Sequence, residues 1–427
     1  MSSPTPRPPF SALPLDKNGP PLNAWGLYGP SDELGALNTL TPATTLLATS
    51  EIQTGERISL DWTLNLPSHP SFNRPPFSHT ITRKSHPDGT KRTVNDDHLN
   101  MNTQGSSQWD GFRHYGYQKA QLYYGGRTQQ DLESGDVIGI NRVVERGGIV
   151  GRGVVLDYPR YLESKGRGEV YALQAVSIKI EELEEMLSET GVEVREGDIL
   201  LLRTGFTRDY IKLGVQERRK LAEKPPAFIG VESSPRTLSF LWSHPFAAVA
   251  SDSPSFEMSP LVGPHTAPGG LWAGEPWELD LQGGGLLHQV LLAGWGVMIG
   301  EMWDLEAVCE RCAGEGAGGG KGRKRRSTCW VGSMPLKVPG GVASPPNAEW
   351  TGNGGDEYVF IWKCVIEGTR QPTEFRCYIL APMSLYGTTA HPLQHSARRE
   401  LDHEHPYVLP SSYRQRHAVP TPHILSN

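Results

Sequence analysis

Residues 177–206, "SIKIEELEEMLSETGVEVREGDILLLRTGF", constrain the fold more than any other stretch of this chain. Apolar residues recur at three- and four-residue spacing from Ile178 to Leu187, which predicts an amphipathic helix. Gly191 closes it, because glycine accepts the left-handed backbone that ends many helices. The turn "REGD" then leads into "ILLLR", a short unbroken apolar run of the kind that is buried on both faces of a sheet. A helix that must bury one face beside a strand that must bury two points to a sheet layered with helices.

The same alternation runs through much of the chain. "TPATTLLATSEI" predicts a short helix with Thr41 or Thr44 near its N-cap. "GERISLDWTL" alternates and reads as a strand, and "GRGVVLDYPRYL" reads as a buried strand followed by a turn. "SPRTLSFLWSHPFAAVASDSPSFE" predicts helix, turn and strand. "LLHQVLLAGWGVMIGEMWDLEAV" is apolar throughout and predicts a helix running into a strand. "STCWVGSMPLKVPGGVASPP" supplies a closing strand and a Pro/Gly-rich loop. Interleaved helices and strands without an internal repeat make the class α/β.

Three segments lack a periodic apolar face. Residues 1–23 are rich in Pro and Ser and predict a disordered arm. Residues 312–328, "CAGEGAGGGKGRKRRST", predict a flexible Gly/Lys-rich insertion. Residues 348–427 turn strongly polar and predict a mostly disordered appendage with at most a small hairpin in it. The ordered domain expected between them spans residues 24–347. With 427 residues the chain could hold one large domain or two. A net charge of -6 argues against nucleic acid as the main partner. No apolar run reaches the ~18 residues of a membrane span, and the start has no apolar signal region. Five cysteines, all late in the chain, do not make a disulfide framework, so a cytoplasmic setting is expected.

Chemistry concentrates in residues 102–117, "NTQGSSQWDGFRHYGY". Asp110 offers oxygen and His114 a ring nitrogen four residues on. Gln104 and Gln108 add amide groups, and Ser106 and Ser107 follow a glycine that permits a tight turn. Composition alone leaves two readings open, a locally hydrogen-bonded polar loop and a site.

The run "QGSSQWDGFRH" resembles the signature loop His-x-Gly-Thr-His-x-Asp-x-Pro-x-His of the cyclase-like, kynurenine-formamidase-like metal hydrolases, in the "SQWDG" form usual in fungal members. Gln104 and Gln108 stand at the first and second His, Asp110 at the Asp and His114 at the last His. Gly111 and Phe112 stand near the usual Pro. Downstream, "LHQVLLAGWGVMIGEMWDLEAV" resembles the family's helix and strand that carry a His and then a Glu, here His288 and Glu301. The resemblance covers residues 24–347 apart from the insertion. It implies a swivelling β/β/α fold with a mixed sheet core, and a homo-oligomer.

The resemblance implies hydrolysis of a small amide, with N-formylkynurenine of tryptophan catabolism as the reference substrate. His114 is the expected general base with Asp110 as its catalytic companion. Asp110, His288, Glu301, Gln104 and Gln108 are the expected surroundings of a divalent metal, Mn or Zn. Replacing two histidines by glutamine makes that set oxygen-rich, which favours Mn or Mg over Zn. It also leaves open metal-free acid/base chemistry, as in a cyclase, lyase or dehydratase of secondary metabolism, or a non-catalytic small-molecule-binding relative. Trp109, Phe112 and Tyr115 are candidates for an aromatic wall against a flat aryl substrate, with core packing as the alternative.

Other signals weigh less. His98 sits among Asp96 and Asp97 in a solvated turn, and His265 in a loop. Cys309 and Cys312 form a CxxC without a second pair, so no structural zinc is expected. "KGRKRR" reads as a solvated basic loop. The histidines beyond residue 390 show no ligand spacing.

Overall fold

The unbroken apolar runs lie side by side at the centre of the molecule, where each can bury both faces. The computed structural model describes residues 7–260, 286–313 and 326–352. Its strands are β1 (Arg57–Ser59), β2 (Ser78–Ser85), β3 (Lys91–Asn100), β4 (Gln108–Asp110), β5 (Ile149–Asp157), β6 (Ser177–Ile178), β7 (Ile199–Arg203), β8 (Gly230–Val231), β9 (Ala248–Ser251), β10 (Met298–Glu301), β11 (Thr328–Ser333), β12 (Ala343–Ser344) and β13 (Ala348–Thr351). Nine of them form one mixed sheet in the order β1-β13-β11-β5-β7-β9-β10-β4-β12.

The four central strands, β5, β7, β9 and β10, run parallel. Parallel neighbours need crossover connections, and helices supply them. Tyr158–Ser164 and Ile180–Thr190 link β5 to β7, and Pro235–Ser243 lies in the link from β7 to β9. The Ile180–Thr190 helix buries Ile180, Leu183, Met186 and Leu187 on one stripe and ends at Gly191 with φ 65°. The "turn" expected after β5 is a helix instead. The Asp157 side chain accepts from Arg160 N, and a proline sits in the first turn, where its missing N–H costs nothing. The helix after Thr41 is as expected, with the Thr41 side chain accepting from Thr44 N.

Antiparallel strands extend the sheet at both sides: β11, β13 and β1 beyond β5, and β4 and β12 beyond β10. Strands β2 and β3 form a separate antiparallel hairpin whose residues are all exposed.

Two expectations need correction. From residue 7 the N-terminal arm is packed, not disordered. The Trp242 indole donates to Pro8 O at 2.7 Å, Phe10 meets Trp295 edge to face, and Leu22 is buried. Leu22 O in turn accepts from the Trp295 indole at 2.8 Å. Few apolar side chains anchor this arm, so its composition hides the anchoring. The ordered domain also continues past residue 347, because β13 fills the place between β11 and β1. Most of the predicted insertion lies outside the described residues. Its two ends do not: Cys312 closes the helix Glu306–Cys312 and Thr328 opens β11. Residues 353–427, with the predicted appendage and its histidines, lie outside the described residues, as do His265 and residues 1–6. No described helix is long and apolar enough to cross a membrane.

Candidate active site

Sheet register builds the site. β4 runs antiparallel to β10, with Gln108 opposite Glu301, Trp109 opposite Gly300 and Asp110 opposite Ile299. Side chains alternate along a strand, so Gln108 and Asp110 share one face and Trp109 takes the other. Glu301 is the last residue of β10, at the carboxyl end of the parallel strands, where open α/β sheets place their ligand crevices. The next residue, Met302, takes a left-handed φ of 53° and turns the chain sharply.

The loop before β4 folds Gln104 onto the strand it precedes. Gln104 Nε2 donates to Asp110 Oδ1 at 2.7 Å. Gln108 Nε2 lies 2.7 Å from Gln104 Oε1, 2.9 Å from Glu301 Oε2 and 3.1 Å from Asp110 Oδ1. Three acceptors converge on one position, so the amide nitrogen must occupy it. After β4 the chain turns at Gly111, where a Cβ would lie 2.7 Å from Val342 O. A proline here would clash and would also lose the bond from Gly111 N to Val342 O.

His288 arrives from the opposite side, in the helical segment that leads to β10. The helical turn Leu286–His288 widens into π-helical turns over Gln289–Trp295 and ends at Gly296 in a left-handed conformation. His288 Nδ1 lies 2.6 Å from Glu257 Oε2, and its Nε2 lies 3.1 Å from Glu301 Oε1 and 3.5 Å from Asp110 Oδ2. His114 Nε2 is 4.0 Å from the same Asp110 Oδ2. That oxygen is buried and accepts no hydrogen bond among the described residues.

The charges are strongly coupled. Burial pushes Asp110 up, but His114, His288 and the Gln104 amide outweigh it and hold the carboxyl below its usual range. Burial, followed by the Asp110 charge, pushes Glu301 up to about 7. Burial lowers His114, and His288 and Arg74 add to that against the pull of Asp110. Burial would lower His288 too, but Glu257, Asp110 and Glu301 raise it well above the ordinary value. The side chains of Glu257, Asp110 and Glu301 thus face the two ring nitrogens of His288.

The structure thus gathers Gln104, Gln108, Asp110, His114, His288 and Glu301, distant in sequence, at one place. Of the two glutamine oxygens expected as metal ligands, only Gln104 Oε1 is taken up as an acceptor, whereas Gln108 Oε1 is buried and accepts no hydrogen bond among the described residues. Gln104 Oε1 accepts from Gln108, and both amide nitrogens face carboxylates. A carboxylate oxygen that accepts no close hydrogen bond and faces two imidazoles is a donor set that suits a divalent cation. The ligand atoms of Asp110, His114 and His288 all lie within 4.8 Å of one another. Those three residues fit the ion, and the glutamines brace the carboxylates.

Of the expected aromatic wall, only Tyr115 reaches the site, its ring 5.7 Å from that of His288. Trp109 points to the other face of β4, fully buried against Trp303 at 4.7 Å, with its indole donating to Ser333 Oγ. Phe112 is buried against Tyr124. Both are core residues, as strand alternation requires of Trp109. Sequence reasoning missed Glu257, the partner of His288. Its segment "SDSPSFE" reads as a strand end, and an acid there carries no spacing relative to a histidine 31 residues on.

Residues 56–258 match the model of the family described as "Putative cyclase". Among solved structures, the chain is similar to one described as a novel cyclase, at 28% identity and TM-score 0.62, covering 77% of this chain and 99% of that one. It also aligns with isatin hydrolase A from Labrenzia aggregata, at 16% identity and TM-score 0.44, over 74% of this chain and 98% of that one. Isatin hydrolase A from Ralstonia solanacearum aligns with the same identity and TM-score, over 73% and 97%. Among curated proteins none matches the sequence.

Proposed function

We propose, from the match of residues 56–258 to the cyclase family model, that this chain is a cyclase-family hydrolase of a small amide, with an N-formyl aryl amide such as N-formylkynurenine as the reference substrate. The observation that carries the reading is the Asp110 Oδ2 atom, buried, without a hydrogen bond, and facing the Nε2 atoms of two histidines. A buried acceptor left open costs about 1–3 kcal/mol, a cost that a bound partner there removes.

Asp110, His114 and His288 would hold a divalent cation, Mn or Zn. When bound, such an ion supplies Lewis acidity and a water of lowered pKa. Glu301 Oε1, 3.1 Å from His288 Nε2, is placed to exchange a proton with that ring. Glu301, at about 7, then carries a proton that it can return near neutral pH, which is the property a general acid/base needs. Glu257 keeps the second nitrogen of His288 as a donor and so fixes the ring. Gln104 and Gln108 hold the Asp110 and Glu301 carboxylates in place through their amide N–H groups. Tyr115 forms one wall of the space.

A second reading, metal-free cyclase, lyase or dehydratase chemistry, is favoured by one specific observation. Both nitrogens of His288 already face carboxylates, and the Gln108 amide fills the centre of the acceptor cluster. The test is turnover of formanilides, N-formylkynurenine and lactams alongside elemental analysis of the purified protein. Turnover abolished by a chelator and restored by Mn or Zn supports the hydrolase with its cation. Undiminished turnover in fully chelated protein moves the reaction to the metal-free reading.

A further inference from the structure

A narrow crevice adjoins the site at Gln104. Phe206, Tyr210 and Phe72 give it aromatic sides, and Arg74 stands in its lining. Arg74 is half-buried and forms no ion pair with any described carboxylate. One guanidinium nitrogen, Nη1, donates to Gln104 O at 2.7 Å, and the group lies over the Phe72 ring at 4.8 Å. These contacts hold the planar head in place and leave its other N–H groups available to an acceptor. A partly desolvated guanidinium without a counter-charge favours an anion, and its geometry suits a carboxylate bound by two N–H groups.

Resting on the hydrolase reading above, we propose that Arg74 is a specificity residue that binds a carboxylate on the substrate, so that the preferred substrates are flat aryl amides bearing an anionic group. The link to the chemistry is short. The backbone carbonyl of Gln104 receives Arg74, and the side chain of the same residue donates to Asp110 Oδ1 at 2.7 Å. A carboxylate held by Arg74 would therefore sit beside the residue whose amide braces Asp110. Arg74 is also close enough to lower the proton affinity of both His114 and Glu301, after the larger effects of burial and nearer groups.

A matched pair of substrates tests this: 2-formamidobenzoate and formanilide, which differ only by the carboxylate. The wild type should prefer the anionic one in kcat/KM by roughly 10- to 100-fold, the usual worth of a charge-assisted hydrogen bond. Arg74→Gln, which removes the charge and withdraws the donors from the crevice, should lose that preference. The loss is read as the ratio of kcat/KM for the two substrates in the same variant, and Arg74→Lys should recover part of the preference. A wild type that does not discriminate, or an Arg74→Gln variant that slows both substrates equally, overturns the proposal. If the wild type turns over neither, the hydrolase reading fails and benzoate binding decides Arg74 separately. A dissociation constant weakened by the same factor in Arg74→Gln supports the anion site, and unchanged binding rejects it.

Discussion

Gln108 and Glu301 face each other across the antiparallel pair β4–β10, and the amide of one donates to the carboxylate of the other at 2.9 Å. The same amide lies within 3.1 Å of Asp110 Oδ1, so one neutral side chain separates two buried acids. Replacing it by the similarly sized Gln108→Leu leaves both acceptors without that donor. Stability should fall by about 1–3 kcal/mol. Removing a donor from a carboxylate favours its neutral form, so Glu301 should titrate higher than in the wild type. The alkaline-going limb of the pH–rate profile should therefore move up from near pH 7. Denaturant melts and a pH profile read the two effects, and an unmoved limb would show that Glu301 is not the group being titrated.

Asp110→Asn keeps the shape of the side chain and removes the charge that both histidines face. His114→Ala removes one imidazole and leaves β4 intact. Turnover should fall by about 10²- to 10⁴-fold in each, the range typical of acid/base and ligand groups, with melting temperatures near that of the wild type for His114→Ala. Metal content measured on the same samples should fall in both variants. Full activity in His114→Ala would remove this residue from the site.

The glutamines can be returned to imidazoles. In Gln104→His/Gln108→His the two amide donors to Asp110 and Glu301 are replaced by better zinc ligands. Zinc affinity, measured by competition with a chromogenic chelator, should rise by at least tenfold. Stability of the metal-free variant should fall, because the carboxylates lose their amide partners. An unchanged zinc affinity would mean that these positions do not face the ion.

Glu257→Gln tests the clamp on His288. The Glu257 charge is the largest of the effects that raise His288, after burial, which opposes it. A histidine whose folded-state pKa is raised contributes stability that is fully present below its unfolded value of about 6.5 and is lost as pH rises through the folded value. The variant should therefore be destabilised most, by roughly 1–3 kcal/mol, at about pH 6, and the deficit should shrink under alkaline conditions. Urea melts across that range check the sign. A deficit that grows with pH would contradict an imidazolium at this position.

Trp109 separates packing from substrate contact. Trp109→Phe loses the bond to Ser333 and part of the contact with Trp303, so it should lower the melting temperature. KM should stay within about twofold, because the ring lies on the far face of β4 from the reacting groups. A KM change larger than the stability change would return Trp109 to the substrate wall.

The central strands were legible because a strand buried on both faces must be apolar along its length, as in Ile199–Arg203 and Ala248–Ser251. The helix Ile180–Thr190 was legible from its stripe and its closing glycine. β4 was not, since Gln108 and Asp110 are fully buried polar residues, and a three-residue strand has no period to detect. The N-terminal arm misled for a similar reason: Phe10 and Leu22 are isolated anchors in a Pro-rich segment. Asp110, His114, His288 and Glu301 could be gathered only through family likeness. Glu257 and Arg74 stand outside that likeness, and only the folded chain brings them beside the others.

The bond between Gln108 and Glu301 spans 193 residues of chain. Each half of the site is chemically incomplete alone, since a fragment ending before residue 286 keeps Asp110 and His114 but has neither His288 nor Glu301. A nascent or truncated chain is thus silent until β10 has been made and has closed against β4, a late contact with a large loop to order. On the hydrolase reading, turnover would thus report that β10 has closed against β4. Two inactive fragments that regained it on mixing would reveal the same sheet closing between separate chains.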